Sequence, residues 1–493
     1  MVYNNSYLAI LMSNAMKLES IDIYKSIDKV KKMLLTEKTI SPAFKVTIEM
    51  LLLIVELLIK KLNLNSRNSS KPPSTDQNEK KENNKKSKNR PGGQSGHKGT
   101  TLKPIERPDK IEYLKIDRNT LPKGGTYNSD KYVARQVVEI KISRIVIEYR
   151  AEKLIDQNGN IFTAAFPDNI SRPIQYGSTI KSHSVYLSIY QLIPYDRVKE
   201  QFNNEYNIPL STGTVFNFNQ EASKLLLNFE KVVKHELIKS NVAHADETGI
   251  NINGKRKWLH NFSNDLWSWF ECHDKRGSQA MNDIGILPRF SGVLCHDHWK
   301  PYYKYSCLHS LCNAHHLREL TRAFEQDKQQ WAKDMKTLLL TINDMVEKYN
   351  GCLPAKSSKY WRSKYCEIIE AANKECPPPE KKDIKTKIKR SKARNLLERL
   401  NKFQDDVLRF MDNLIVPFTN NQGERDIRMM KVQQKISGCF RSTEGAKIFL
   451  IIRSYLSTCK KNDICLNEAL RLLFDGQFPD FIQQKLDMLN DTS

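Results

Sequence analysis

Residues 241–273 read NVAHADETGININGKRKWLHNFSNDLWSWFECH, and this stretch decides the fold. Asn253-Gly254 is a tight-hairpin signal and Asn264-Asp265 a second turn, so three short strands in an antiparallel meander are predicted. NVAHADETG is the first, KRKWLHNF the second and LWSWFECH the third, with alternating faces along the last. Residues 277–286, GSQAMNDIGI, then read as a helix, with Pro288 marking its end. GVLCHD, at 292–297, is a short apolar run of the buried-strand kind that stops at Asp297. Because a helix intervenes, this strand can run parallel to its neighbour.

Two acids fall on this frame, Asp246 inside the first strand and Asp297 at the tip of the later one. Catalytic groups in such sheets gather at strand ends, and this placement is that of a ribonuclease H-like core. Each acid also suits a plainer role: Asp246 a turn or cap, Asp297 the N-cap of the next helix. Glu247 competes with Asp246, but successive strand residues face opposite sides, so only one of the pair points into a shared site.

A third acid lies far downstream, in PFTNNQGERDIRMMKVQQKISG at 417–438. Asn420 and Asn421 are good N-caps and Gly438 a natural stop, which places Glu424 in the first turns of a helix. Arg428, Lys431 and Lys435 share its face at helical spacing, whereas Asp426 points elsewhere. A solvated Glu–Arg pair is the ordinary use of such a face. The functional use is a carboxylate that holds a metal beside cations that hold phosphates. Mg²⁺ or Mn²⁺ takes oxygen ligands and leaves positions open for water and phosphate oxygens. Two such ions suit an in-line phosphoryl displacement, with water as nucleophile for cleavage or a DNA 3′-hydroxyl for strand transfer.

HADETG, HDHWKPY and NNQGERDIRMMKVQQKISGCFRS resemble the catalytic signatures of DDE transposases of the insertion sequence 66 family. SRNSSKPPSTD at 66–76, RPGGQSGHKGTTL at 90–102, RQVVEI at 135–140, YLSIYQLIPYDRV at 186–198 and LNEALRLLFDG at 466–476 extend the likeness. The resemblance implies a ribonuclease H-like domain with Asp246, Asp297 and Glu424 as catalytic metal ligands. It also implies cutting at the ends of a mobile element and joining of those ends to target double-stranded DNA, by a homo-oligomer with or without accessory proteins. One departure stands out. The family's small zinc-binding module, with two Cys-x-x-Cys pairs, corresponds to about 115–165, where this chain reads LPKGGTYNSD and LIDQNGNIFT without a cysteine. All ten cysteines lie from Cys272 onward and none are spaced as Cys-x-x-Cys, so structural zinc is not expected in that module. RQVVEIKISRIVIEYRAEKL still alternates and predicts a small β-unit.

The 493 residues are enough for several domains, and the formal charge of +23, from 79 basic against 56 acidic side chains, favours a polyanionic partner. Two basic runs concentrate the surplus. One is an Asn-, Gly-, Pro- and Ser-rich linker within 66–109. The other is KKDIKTKIKRSKAR at 381–394, in which Lys381, Lys382, Lys385, Lys387, Lys389 and Arg390 are candidate phosphate contacts; either run also reads as a solvated tether. Residues 15–62 are predicted helical. The run MLLLIVELLIKKL is too short and too charged for a membrane span, so burial or self-association is expected. No signal peptide is evident, and unpaired thiols fit a cytoplasmic protein, on the nucleoid when DNA-bound.

The expected organisation is multidomain α/β plus α. It comprises an N-terminal helical segment (1–65), the linker (66–109), a zinc-less β-module (110–172) and a helical region (173–240). A catalytic core (241–314 and 412–460) is interrupted by a helical insertion (315–411) and followed by a C-terminal segment (461–493). In the helical region, Ser211 or Thr212 caps a helix that reads either as the second of a helix-turn-helix or as ordinary packing. Cys307, Cys312, His315 and His316 are expected to be structural, because their spacing matches no usual zinc pattern. His296 and His298 flank Asp297, where a histidine can orient phosphate or water. Two other readings of the whole chain stay open: a nuclease with the same core but no strand transfer, and a DNA-binding protein whose catalysis has decayed.

Overall fold

The computed structural model describes residues 17–18, 21–37, 39–69, 102–128, 132–379 and 390–491. A minimal hairpin, β1 (Lys17–Leu18) and β2 (Ile21–Asp22), leads into α1 (Ile23–Thr36) and α2 (Pro42–Leu62). The predicted N-terminal helix is therefore two helices. Ser41 accepts the Phe44 N–H and Pro42 occupies the first helical turn, a start signal that ends the preceding run.

The alternating segment from 132 to 152 forms no strand, which corrects the expected β-unit. Only a hairpin, β3 (Lys153–Ile155) and β4 (Ile161–Thr163), follows it, and both strands are exposed along their length. Val137 and Ile145 upstream are likewise exposed. Alternation supplies an apolar face, but a strand needs a paired edge and a covering layer as well.

Residues 174–238 are helical as predicted: α3 (Ser178–Val185), which runs on into a π-turn at Tyr186–Tyr190, α4 (Tyr195–Tyr206), α5 (Thr212–Leu225) and α6 (Leu227–Ile238). The meander follows as β5 (Val242–Ile252), β6 (Lys255–Ser263) and β7 (Ser268–His273). Asn253 and Gly254 both take positive φ, 49° and 73°, as the primed hairpin turn requires. After α7 (Ser278–Ile284) the chain returns as β8 (Val293–His296), parallel to β5, and then β9 (Leu308–Leu311), parallel to β8. The five-stranded sheet has the order β7-β6-β5-β8-β9.

β8 enters tightly. Val293 donates to the Asn241 carbonyl at 2.8 Å, and a Cβ on Gly292 would sit 2.5 Å from the Ser240 carbonyl oxygen, so only glycine fits that crossing. The resulting register pairs His244 with Cys295. Two positions further along each strand stand Asp246 and Asp297.

Between β9 and the third acid run α8 (Asn313–Asp327), α9 (Gln330–Lys348), α10 (Ala355–Glu375), α11 (Lys392–Lys402) and α12 (Gln404–Asp412). Pro354 caps α10, and Pro377 lies just beyond its end, as their backbone chemistry demands. Trp331, Met335, Leu339, Tyr365, Leu397 and Leu408 fill a core within these helices, which Val293 and Leu311 of the sheet join. The chain then forms α13 (Asn421–Ser437), α14 (Thr443–Lys461), α15 (Leu466–Phe474) and α16 (Asp480–Asp491), which share the main core with α3–α6 and the meander.

Both sheet edges are covered. Ser454 and Thr458 of α14 accept the β7 amides of Phe270 and Ser268, and Arg409 of α12 donates to the His309 carbonyl of β9 at 2.7 Å. Such cover satisfies groups that an open edge would offer to other strands.

Candidate active site

Asp246 sits in the middle of β5, with Oδ1 accepting the Glu247 backbone N–H at 2.8 Å. Its carboxyl is pushed up to about 8, first by burial and then by the negative charges of Glu247, Asp297 and Glu424. The negative charge of these neighbours acts on Asp246, and a cation would offset it.

Glu247, the competitor from sequence, is already satisfied. Tyr302 donates to it at 2.6 Å and Arg276 at 2.6 and 2.9 Å, and its side chain is almost wholly buried. Among the described residues Asp246 has no such cationic partner. Asp297 follows β8 directly, is exposed, and accepts the Trp299 N–H at 3.1 Å in a turn; the short helical turn at Lys300–Lys304 has Trp299 as its N-cap, so Asp297 is not the cap its plainer reading expected.

Glu424 lies in the first turn of α13. Its Oε1 is buried and, among the described residues, has no hydrogen-bond partner. Asn420, just before the helix, anchors this turn to β5. Its Nδ2 donates to the Ala245 carbonyl at 2.9 Å, its Oδ1 accepts from His244 at 2.7 Å, and its backbone N–H reaches the Cys312 sulfur at 3.1 Å. Gly423 allows the approach: a Cβ there would meet the Asn420 amide at 3.0–3.3 Å, and the Gly423 carbonyl accepts from Asn261 of β6 at 3.3 Å.

Asp426, as anticipated, faces away and pairs with Lys461 at 2.8 Å. Arg428 and Lys435 are exposed on α13, and Lys431 reaches the Gly249 carbonyl of β5 at 2.9 Å. Lys431 lines a cavity of about 610 Å³ with Glu247, Arg256, Trp258 and Arg276, the two guanidinium groups lying over the Trp258 ring. Lys381, Lys382, Lys385, Lys387 and Lys389 lie outside the described residues; Arg390 pairs with Glu398.

The histidines are redistributed relative to expectation. His296 is fully buried and bonds to His309, and His298 packs against Tyr303 and Phe403, so neither ring is engaged with Asp297. His316 bonds to Asn313 inside α8, a structural role as expected. His315 instead approaches Glu424, Nδ1 to Oε1 at 3.7 Å. His315, Asn420 and Arg276 were not assigned a site role from sequence. The Asn420 cap reading carried part of the signal, but its long-range contact to β5 has none.

With this geometry in place, comparison with known families is decisive. Residues 173–448 match the Transposase IS66 family. The chain belongs to that family. Membership implies a DNA-cleaving and DNA-joining enzyme of transposition. Residues 26–103 separately match a family of unknown function, DUF6444, and no curated protein matches the chain. Among the described residues no helix is long and apolar enough to cross a membrane.

Proposed function

We propose that the chain is a metal-dependent DDE transposase that cleaves and transfers DNA strands through Asp246, Asp297 and Glu424 on a ribonuclease H-like core. The single observation that carries this reading is the convergence of the three acids. The β5–β8 register sets Asp246 and Asp297 at equivalent positions beyond their paired residues, and the electrostatics of Asp246 include Glu424 from α13. A carboxyl pushed up by burial and by its acidic neighbours fits oxygen-ligated divalent ions such as Mg²⁺ or Mn²⁺. Bound there, two such ions would stabilise the attacking and leaving oxygens of a phosphodiester.

The protein's own groups do the rest. Asn420 and Gly423 fix the Glu424 turn against β5. Tyr302 and Arg276 hold Glu247 away from the shared site. Lys431, Arg256 and Arg276 offer positive charge along the adjoining cleft, and Arg428 and Lys435 extend it along α13, where phosphate contacts are salt-sensitive. The helix starting at Thr212, capped by Ser211 through the Thr214 N–H at 3.0 Å, is a second DNA-contact candidate.

The test uses the full chain with its native flanking DNA ends. Asp246→Asn and Glu424→Gln should abolish Mg²⁺-dependent cleavage and joining while DNA binding persists. Full cleavage by either variant overturns the assignment, and cleavage without joined product by the unaltered chain reduces it to a nuclease.

A further inference from the structure

We propose that Cys312, His315 and Glu424 form a binding site for a borderline-soft divalent cation of the zinc class, joining the two ends of the α8–α12 insertion. It shares Glu424 with the proposed catalytic set but requires neither DNA nor cleavage.

The geometry comes first. One ligand atom from each of the three residues lies within 4.8 Å of the others, and His315 Nδ1 stands 3.7 Å from Glu424 Oε1. Tetrahedral ligation with bonds of about 2.0–2.3 Å puts ligand atoms roughly 3.3–3.8 Å apart. The His–Glu edge already meets that, and the sulfur needs only a small closing movement.

The hydrogen bonding points the same way. Among the described residues, His315 Nδ1 and Glu424 Oε1 are both buried without a hydrogen-bond partner. Orphaned polar atoms of this kind are costly and scarce, and two that face each other across a ligand-sized gap share one remedy. Repulsion from other carboxylates does not explain the histidine, and a simple His–Glu hydrogen bond would need a shorter separation.

The third ligand is a sulfur buried beside the same two atoms. Cys312 is buried just before the fifteen-residue helix α8, and its sulfur accepts the Asn420 N–H at 3.1 Å.

The donor set selects the ion. One sulfur, one imidazole nitrogen and one carboxylate oxygen suit Zn²⁺ or Co²⁺ and not Mg²⁺, with a fourth position left for water. The location gives it a structural role. Cys312 and His315 open the helical insertion and Glu424 follows its close, while the Asn313 amide already bonds to the Phe418 carbonyl at 3.1 Å beside them. An ion here clamps the base of the insertion and fixes the Oε1 oxygen of Glu424.

Chelator-stripped full-length protein titrated with Co²⁺ tests this directly. One equivalent should produce a thiolate-to-cobalt charge-transfer band that Zn²⁺ bleaches. Cys312→Ser should remove the band, His315→Ala should weaken binding by more than about tenfold, and Asp246→Asn should leave it intact. Absence of the band, or a band unchanged in Cys312→Ser, overturns the site. If circular dichroism shows Cys312→Ser unfolded, Glu424→Gln replaces it, and a band of unchanged affinity in that variant is equally fatal. A band without Mg²⁺-dependent cleavage retains this site and removes the proposed function; cleavage without the band does the reverse.

Discussion

The Asn420 side chain donates to the Ala245 carbonyl at 2.9 Å, one residue before Asp246, and so ties the Glu424 turn to the strand of the first acid. This contact spans most of the core in sequence yet sets the separation of two carboxylates. Asn420→Ala leaves the Ala245 carbonyl and His244 unpaired in a buried place. It is expected to cost about 2–4 kcal/mol of stability and, by letting Glu424 drift, roughly 10²-fold in cleavage rate. Denaturant unfolding and single-turnover cleavage measure the two, and unchanged cleavage in a destabilised variant would separate the anchor from catalysis.

Gly423→Ala probes the same turn without removing a hydrogen bond. The new Cβ would lie 3.0–3.3 Å from an amide held by partners on both atoms, so the helix start has to move instead. Cleavage should fall by about tenfold or more with a stability loss of about 1–3 kcal/mol. A fully active Gly423→Ala chain would show that the turn tolerates displacement.

The meander, its turns and β8 were legible because Asn-Gly, apolar runs and prolines act locally. The equivalence of Asp246 and Asp297 follows from a parallel register that pattern can suggest but not number. Asn420 was legible as a cap and not as a tether, since nothing in NNQGE names Ala245 or His244. The same limit explains the segment from 132 to 152: Val137, Ile145 and Ile147 alternate as a strand would, but periodicity does not supply a partner edge. His315 was weighed with Cys312 and read as structural, because Glu424, which it approaches at 3.7 Å, lies beyond the whole insertion.

Relief of crowding among the acids should appear as stability. With half-buried Asp246 under the negative charge of Glu247, Asp297 and Glu424, Asp246→Asn is expected to raise the melting temperature of metal-free protein at pH 8 by several degrees, equivalent to about 1–3 kcal/mol. Mg²⁺ should stabilise the unaltered chain and have much less effect on the variant. Thermal melts with and without Mg²⁺ decide this, and equal Mg²⁺ stabilisation of both proteins would place the ion elsewhere.

Acid should weaken the core through His260. Burial lowers its imidazole to about 4, while the Lys275 carbonyl opposes that shift at 3.3 Å. Between about pH 6.5 and pH 4 the unfolded chain therefore binds a proton that the folded chain refuses, so stability is present above the unfolded value and is lost as pH falls through this window. His260→Asn removes the titrating group and should flatten the pH slope by up to one proton, even where it costs stability at neutral pH. Chemical unfolding at pH 7.5, 6 and 5 gives the slope, and an identical slope in the variant would exclude His260 as a source of the acid sensitivity.

Arg276 tests how Glu247 is kept out of the metal chemistry. Its guanidinium and the Tyr302 hydroxyl offset a nearly buried charge, so Arg276→Ala leaves Glu247 under-compensated next to Asp246 and Asp297. Removing one partner of a buried pair is expected to cost about 3–5 kcal/mol, reduced here because the arginine is partly exposed and Tyr302 remains. Arg276→Ala with Glu247→Gln should recover much of that loss, since the glutamine carries no charge and can still accept from Tyr302. A double-mutant cycle in thermal stability reads the coupling, and strict additivity would mean that Arg276 acts on Trp258 and Trp299, over which it also stacks, and not on Glu247.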